Sequence, residues 1–266
     1  MKNRILATCS VSLLLLLIPA CSGGSSSATE PTSLSTDPAR AGDLADVQRA
    51  INDAAAGDTV AIGAGTFSGR LVVRKPLILV GQGSATVLTG VAGLDDAAIE
   101  VRDTMGVEVR NVTLSAPDGG IRVRGCVDVL VEGVVARDNG DTGIEVRSSS
   151  DVVVRNCDAV DNVGHGVRVR EASQNVLVED CLVASNLDHG VEVRDALDVT
   201  LRTSVVRDNA QSGVRLRDSA MVLVFDNDVV DNVEYGVRIR DTAVDLAVLN
   251  QDNRIDNNGQ GNVRVE

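Results

Sequence analysis

A five-residue phrase, glycine followed by apolar–charged–apolar–arginine, recurs down the chain and leaves few folds open to it. It reads "GIRVR" from Gly120, "GIEVR" from Gly143, "GVRVR" from Gly166, "GVEVR" from Gly190, "GVRLR" from Gly213 and "GVRIR" from Gly236. Successive starts lie 23, 23, 24, 23 and 23 residues apart; "AIEVR" from Ala98 precedes the series and "NVRVE" from Asn262 closes it. Each repeat carries a second alternating segment ("DVLVEG", "DVVVRN", "NVLVED", "DVTLRT", "MVLVFD") and an asparagine landmark: Asn139, Asn162, Asn186, Asn209 and Asn232. Alternation of this kind marks strands, and a unit this small cannot bury its apolar face alone. Winding the units into a parallel coil solves the problem. Equivalent strands then stack ~4.8 Å apart, valines fill the tube, and equivalent asparagines can bond along a ladder. A chain rich in valine, with Phe67, Phe225 and Tyr235 as its aromatics, favours stacked short strands over a sandwich or bundle.

The pattern resembles the right-handed parallel β-helix family, the pectate-lyase-like superfamily, over roughly residues 43–266. The resemblance implies an all-β, single-stranded right-handed parallel β-helix, a solenoid of ~23-residue coils with a short N-terminal capping helix. "DLADVQRAINDAAAGDTVAIGAGTF" fits such a cap. Asp43 is a candidate N-cap. Leu44, Val47, Ala50, Ile51 and Ala54 recur at helical spacing, the helix ends at Gly57, and a strand follows over 59–62. No helical cap is legible at the bottom, where the charges of Arg264 and Glu266 blunt the last edge.

The first residues are a targeting segment. A basic start (Lys2, Arg4), an apolar run over 11–18 and small residues before Cys21 read as a secretory signal over residues 1–20, short for a membrane span. "LIPAC" resembles a bacterial lipobox, which implies lipidation of Cys21 and a membrane anchor. The alternative is an ordinary signal peptide with Cys21 incidental. Ser22 after that cysteine resembles outer-membrane sorting, and the Ser/Gly/Thr/Pro-rich stretch over 21–42 reads as a flexible tether. The expected location is therefore the cell envelope. The mature part keeps Cys126, Cys157 and Cys181, an odd number that makes no disulfide framework. Cys157 and Cys181 occupy equivalent repeat positions, so a rung-to-rung bridge stands beside the reading as small buried thiols. A net charge of −13 argues against nucleic acid as a partner.

Alternation points the valines of each phrase inward and the charges outward. One outward column reads Glu100, Arg122, Glu145, Arg168, Glu192, Arg215, Arg238, and on the second strand Arg110, Glu132, Arg155, Glu179, Arg202, Phe225. Opposite charges on neighbouring rungs attract and fix register, so both columns read as structural. An apolar column, Leu130, Val153, Leu177, Thr200 and Leu223, reads either as a partner surface or as cover for arginine stems. A third charged column is all arginine: Arg102, Arg124, Arg147, Arg170, Arg194, Arg217 and Arg240. It is either neutralised locally, by Asp103, Glu171, Asp195, Asp218 and Asp241, or forms a cationic stripe for a linear anionic glycan such as a uronate chain.

The two histidines, His165 and His189, share a turn column with Thr142, Ser212 and Tyr235, and Asp141, Asp188, Gln211 and Glu234 stand one position earlier. This turn is the candidate catalytic site: histidine can act as acid or base near neutral pH beside carboxylate partners. A polar turn without chemistry is the competing reading. Gly164-His165-Gly166 resembles a polygalacturonase segment, but the accompanying Asn-Thr-Asp, paired Asp and Arg-Ile-Lys segments are missing or misplaced; "DD" at 95 falls in the wrong coil. The Asp-Pro-His-Asp segment of alginate epimerases is absent. The resemblance to pectate lyases raises Ca2+, yet the aspartates lie scattered in turns; no metal set and no cofactor is assigned. Three readings follow: an anchored, non-catalytic rod that binds an extended, anionic polysaccharide or a surface partner; a polysaccharide lyase or glycoside hydrolase using the His165/His189 turn; and a spacer without ligand.

Overall fold

The computed structural model describes residues 44–91 and 97–266. Cys21, Asp43, Asp95 and Asp96 lie outside the described residues. The chain winds as a parallel coil whose repeat phrases stack into a nine-stranded sheet, from Leu71–Val73 to Gly261–Val265. The register is in phase from rung to rung: Glu145 pairs with Arg122 above and Arg168 below, and Arg147 with Arg124 and Arg170. The second and third strands of each coil, such as Ser150–Arg155 and Asp158–Val160, form two further faces. Early strands Leu77–Leu88 and Met105–Leu114 run through the corner between those faces, which joins them into one 15-stranded sheet. Val123, Val146, Val169 and Val193 stack in the interior with their counterparts from the other faces.

The asparagine landmarks form the expected ladder. Asn139 Nδ2 donates to Asn162 Oδ1 (2.7 Å), Asn162 to Asn186 (2.8 Å), Asn186 to Asn209 (2.9 Å) and Asn209 to Asn232 (2.9 Å), and the ladder continues to Asn258 (2.9 Å). Each Oδ1 also accepts a backbone N–H from the rung above, and each Nδ2 also donates to a backbone carbonyl, as Asn186 does to Ala159. The fully buried amides are thus satisfied. A second ladder stacks Cys157, Cys181, Ser204, Asn227 and Asn253 at another corner. There the cysteines are free buried thiols donating to the carbonyls of Arg155 and Glu179. A hydrogen bond with Cys181, and then burial, push the Cys157 thiol well above its ordinary value.

The abundance of aspartate has a conformational cause. The corners place residues in the left-handed region: Asp128, Asp151 and Asp198 at one, Asp138, Asp161, Asp208 and Asp231 at another, with φ of 54 to 58°. Asp and Asn tolerate that region better than other non-glycine residues. The repeat glycine has a different reason. A Cβ on Gly166 would lie 2.4 Å from Val183 Cγ1 and 2.8 Å from the Gly190 carbonyl, so the tight stack of turns excludes a side chain.

Both ends carry helices. Helix α1 (Leu44–Asp53) buries Leu44, Val47 and Ile51 over the top. Gln48 mimics a strand there, accepting the Val72 N–H (2.7 Å) and donating to the Val72 carbonyl (3.0 Å) on the free edge of the first sheet. The helix stops at Asp53 instead of Gly57; Gly57, at φ 88°, turns the chain and donates to Pro76. The reading of an uncapped bottom is corrected. Helix α2 (Leu246–Gln251), N-capped by Asp245, buries Leu249 against Ala220–Phe225, where the next strand of that face would lie. Six residues are too few to show helical periodicity in sequence. No described helix is long and apolar enough to cross a membrane.

Candidate functional site

The outward face of the first sheet departs from a simple solvated pattern. Its glutamates Glu100, Glu145 and Glu192, expected outside as register marks, are only 3–4% exposed because arginine stems close over them. Glu145 accepts from Arg122 Nε and Arg170 Nε, both at 2.6 Å. Burial works against its charge, but the two guanidiniums outweigh burial and hold its carboxyl below the usual range. Glu192 accepts from Arg168 Nε at 2.8 Å and has Arg215 Nη1 at 3.6 Å. Glu100 is bridged by Arg70 and Arg102. On the second face, Arg110 and Arg155 flank Glu132 and Arg202 holds Glu179, the pairing that the alternation predicts.

The seven-arginine column forms one line down the first sheet, but its charges are unequally neutralised. Arg147 and Arg170 both pair with Glu171; Arg194, Arg217 and Arg240 pair with the aspartates that follow them. Arg102 reaches Glu100 at 3.4 Å, and its Nε is buried without a hydrogen bond. Arg124 is exposed and has no ion pair among the described residues, nor has Arg74, which stands above Arg102 and was not singled out in the sequence. The unneutralised charge is therefore concentrated in the first three coils.

The histidine turn sits beside this face. His165 and His189 stack, ring centroids 5.7 Å apart and planes 4° from parallel. His189 has no exposed surface. Its Nδ1 accepts the Ser212 N–H (3.1 Å), and its Nε2 lies 3.1 Å from Arg215 Nη1 and 3.7 Å from Asp188 Oδ1, so both ring nitrogens meet donors that oppose a second ring proton. Burial, with the neighbouring His165 and Arg215, outweighs Asp188 and draws its pKa down to about 4. His165 faces Asp188 Oδ1 through Nδ1 (3.7 Å) and Glu192 Oε2 through Nε2 (3.3 Å). Asp141 is exposed one rung above, hydrogen-bonded by Thr142. Glu234 accepts from Ser212 Oγ (3.1 Å), and Tyr235 is half-buried beside Gly261. The structure thus brings His165, His189 and Asp188 together, leaving Glu234 and Tyr235 both two rungs below His189. Sequence reasoning set Glu192, Arg168 and Arg215 apart as register marks; the repeat step that places Glu192 one rung below Arg168 was the available signal. Among the described residues no group of three His, Cys, Asp or Glu has metal-holding geometry. A shallow recess of about 190 Å³ lies between Gly125–Val127, Ser148–Ser150, Ala172 and Gln174, at the turn from the first sheet to the second face.

The profile of the right handed beta helix region family matches residues 97–258. The chain belongs to that family. Its β-helix is similar to the A-module of a mannuronan C-5 epimerase from Azotobacter vinelandii, with a TM-score of 0.67 and 21% identity over 83% of this chain and 76% of that one. It is also similar to an alginate lyase from Paenibacillus sp. (TM-score 0.59, 16% identity, 76% of this chain and 84% of that one). A family 28 exopolygalacturonase from Yersinia enterocolitica gives a TM-score of 0.58 at 12% identity, over 83% of this β-helix and 62% of that chain. At these identities the likeness is one of fold. No curated protein matches the β-helix in sequence.

Proposed function

We propose that this β-helix is an exported rod that binds an extended anionic polysaccharide along the outward face of its first sheet without cutting it. The carrying observation is the excess of cations at Arg74, Arg102 and Arg124, on three successive rungs of an otherwise acidic chain. Rungs ~4.8 Å apart are close to the length of one sugar ring in an extended chain, so each guanidinium can meet one carboxylate in bidentate fashion. The names of three similar structures point the same way: mannuronan, alginate and polygalacturonate are all chains of uronic acids. The near-absence of aromatics disfavours a stacking platform for neutral sugars.

Binding without cleavage is supported by the histidine turn. His189 is out of reach of any ligand, and Gly164 and Gln211 interrupt the carboxylate column of Asp141, Asp188 and Glu234. Hydrolysis would need two carboxylates flanking one bond. In this reading residues 1–20 direct export, lipidated Cys21 anchors the rod to the envelope membrane, and residues 21–42 tether it. The test is a panel of acidic and neutral glycans at low and high salt, with assays for new reducing ends and unsaturated products on every hit. Salt-sensitive binding without products is expected, weakened about tenfold by Arg102→Gln with Arg124→Gln. Products lost in His165→Ala would establish the enzyme instead, and no binding to any glycan would leave the spacer.

A further inference from the structure

Both nitrogens of His165 face carboxylates, Nδ1 toward Asp188 Oδ1 at 3.7 Å and Nε2 toward Glu192 Oε2 at 3.3 Å. A neutral imidazole carries one N–H. Given to Glu192, it leaves Nδ1 as a lone pair beside Asp188, and Nδ1 is indeed buried without a hydrogen-bond partner. A proton there turns a repulsive contact into an ion pair. The ring is 7% exposed, so the unmatched atom is held in place by its neighbours.

The same buried Glu192 holds Arg168 (2.8 Å) and lies 3.6 Å from Arg215 on the adjoining rungs. We propose that His165, Glu192, Arg168 and Arg215 form a proton-gated anion site on the middle coils of the first sheet, which rests on the reading of that face as one that binds polyanions. With His165 neutral, Glu192 engages both arginines. With His165 protonated, Glu192 and Asp188 share the imidazolium, the rung gains one positive charge, and the arginines can turn to carboxylate or sulfate groups of a ligand.

One proton suffices to work the gate. His189, stacked on His165, is kept neutral by the Ser212 N–H on Nδ1 and by Arg215 at 3.1 Å from Nε2. Asp141 on the rung above adds a further carboxylate that favours the His165 cation. Burial outweighs these carboxylates and places the His165 transition below its ordinary 6.5.

The test is fluorescence anisotropy with a labelled oligogalacturonate at pH 7.5 and pH 5.0, at constant ionic strength, on wild type, His165→Gln and Arg124→Gln. Wild type is expected to bind about 3- to 5-fold tighter at the lower pH than His165→Gln does, after both are referred to pH 7.5. Arg124→Gln is expected to weaken binding at both pH values and keep the wild-type ratio. An equal pH ratio in wild type and His165→Gln overturns the gate. Sulfate, followed by the Arg215 Nε–H resonance, separates the two claims. A shift at pH 5.0 in wild type, absent at pH 7.5 and in His165→Gln, upholds the gate even where the oligosaccharide fails to bind. No shift at either pH, with no oligosaccharide binding, sinks both.

Discussion

Asn186→Leu is expected to lower stability by about 3–5 kcal/mol. The side chain sits in the middle of the ladder, where its Oδ1 accepts from Asn162 Nδ2 (2.8 Å) and from the Asn162 N–H (3.1 Å), and its Nδ2 donates to Asn209 Oδ1 and the Ala159 carbonyl. Leucine fills similar volume but leaves the buried Asn162 N–H and the Ala159 carbonyl without partners, each costing about 1–3 kcal/mol. Asn258→Ala, at the less buried end of the ladder, is expected to cost about 1 kcal/mol. Urea unfolding checks both, and hydrogen exchange should place the Asn186→Leu damage in the coils on either side, since each repeat contacts its neighbours alone. Equal costs at the two positions would contradict a ladder satisfied rung by rung.

Acid is expected to weaken the fold well before the carboxylates titrate. His189 is neutral when folded, with its pKa drawn down to about 4 from an ordinary 6.5. The unfolded chain therefore takes up its proton first as pH falls. The stability His189 leaves intact above 6.5 is lost progressively toward 4, about 3 kcal/mol in all. Glu145, held below its ordinary 4.5, adds a second loss at lower pH. His189→Asn keeps an acceptor for the Ser212 N–H and cannot titrate. Urea midpoints at pH 7.5, 6, 5 and 4 should fall for wild type and fall distinctly less for this variant, which keeps only the loss from His165, also lowered by burial. Parallel curves would mean that His189 is protonated in the folded state.

The fold was legible because the repeat is nearly exact. The step of 23 or 24 residues alone aligned the asparagines and all three charged columns in the register that the strands adopt. What the sequence hid were effects of side-chain length. Nothing in "GIEVR" says that arginine stems from the adjoining rungs will close over Glu145, and the same closure buries Glu192 against His165. The arginine column was legible as a line but not as a gradient. Glu171, next in sequence to Arg170, also reaches back one rung to Arg147, and only that geometry leaves Arg124 the unpaired member. Helix α2 was missed because it replaces one strand of an otherwise regular coil.

The central claim is that a polyanion lies along the first three coils of the first sheet. Mapping an oligouronate by backbone and arginine side-chain NMR shifts at pH 7.5 tests it most directly. The account predicts shifts concentrated at Arg74, Arg102 and Arg124 and lost at high salt, with the oligosaccharide recovered at its original length. Shifts centred on Asp141, His165 and Asp188, or a shortened oligosaccharide, would contradict it.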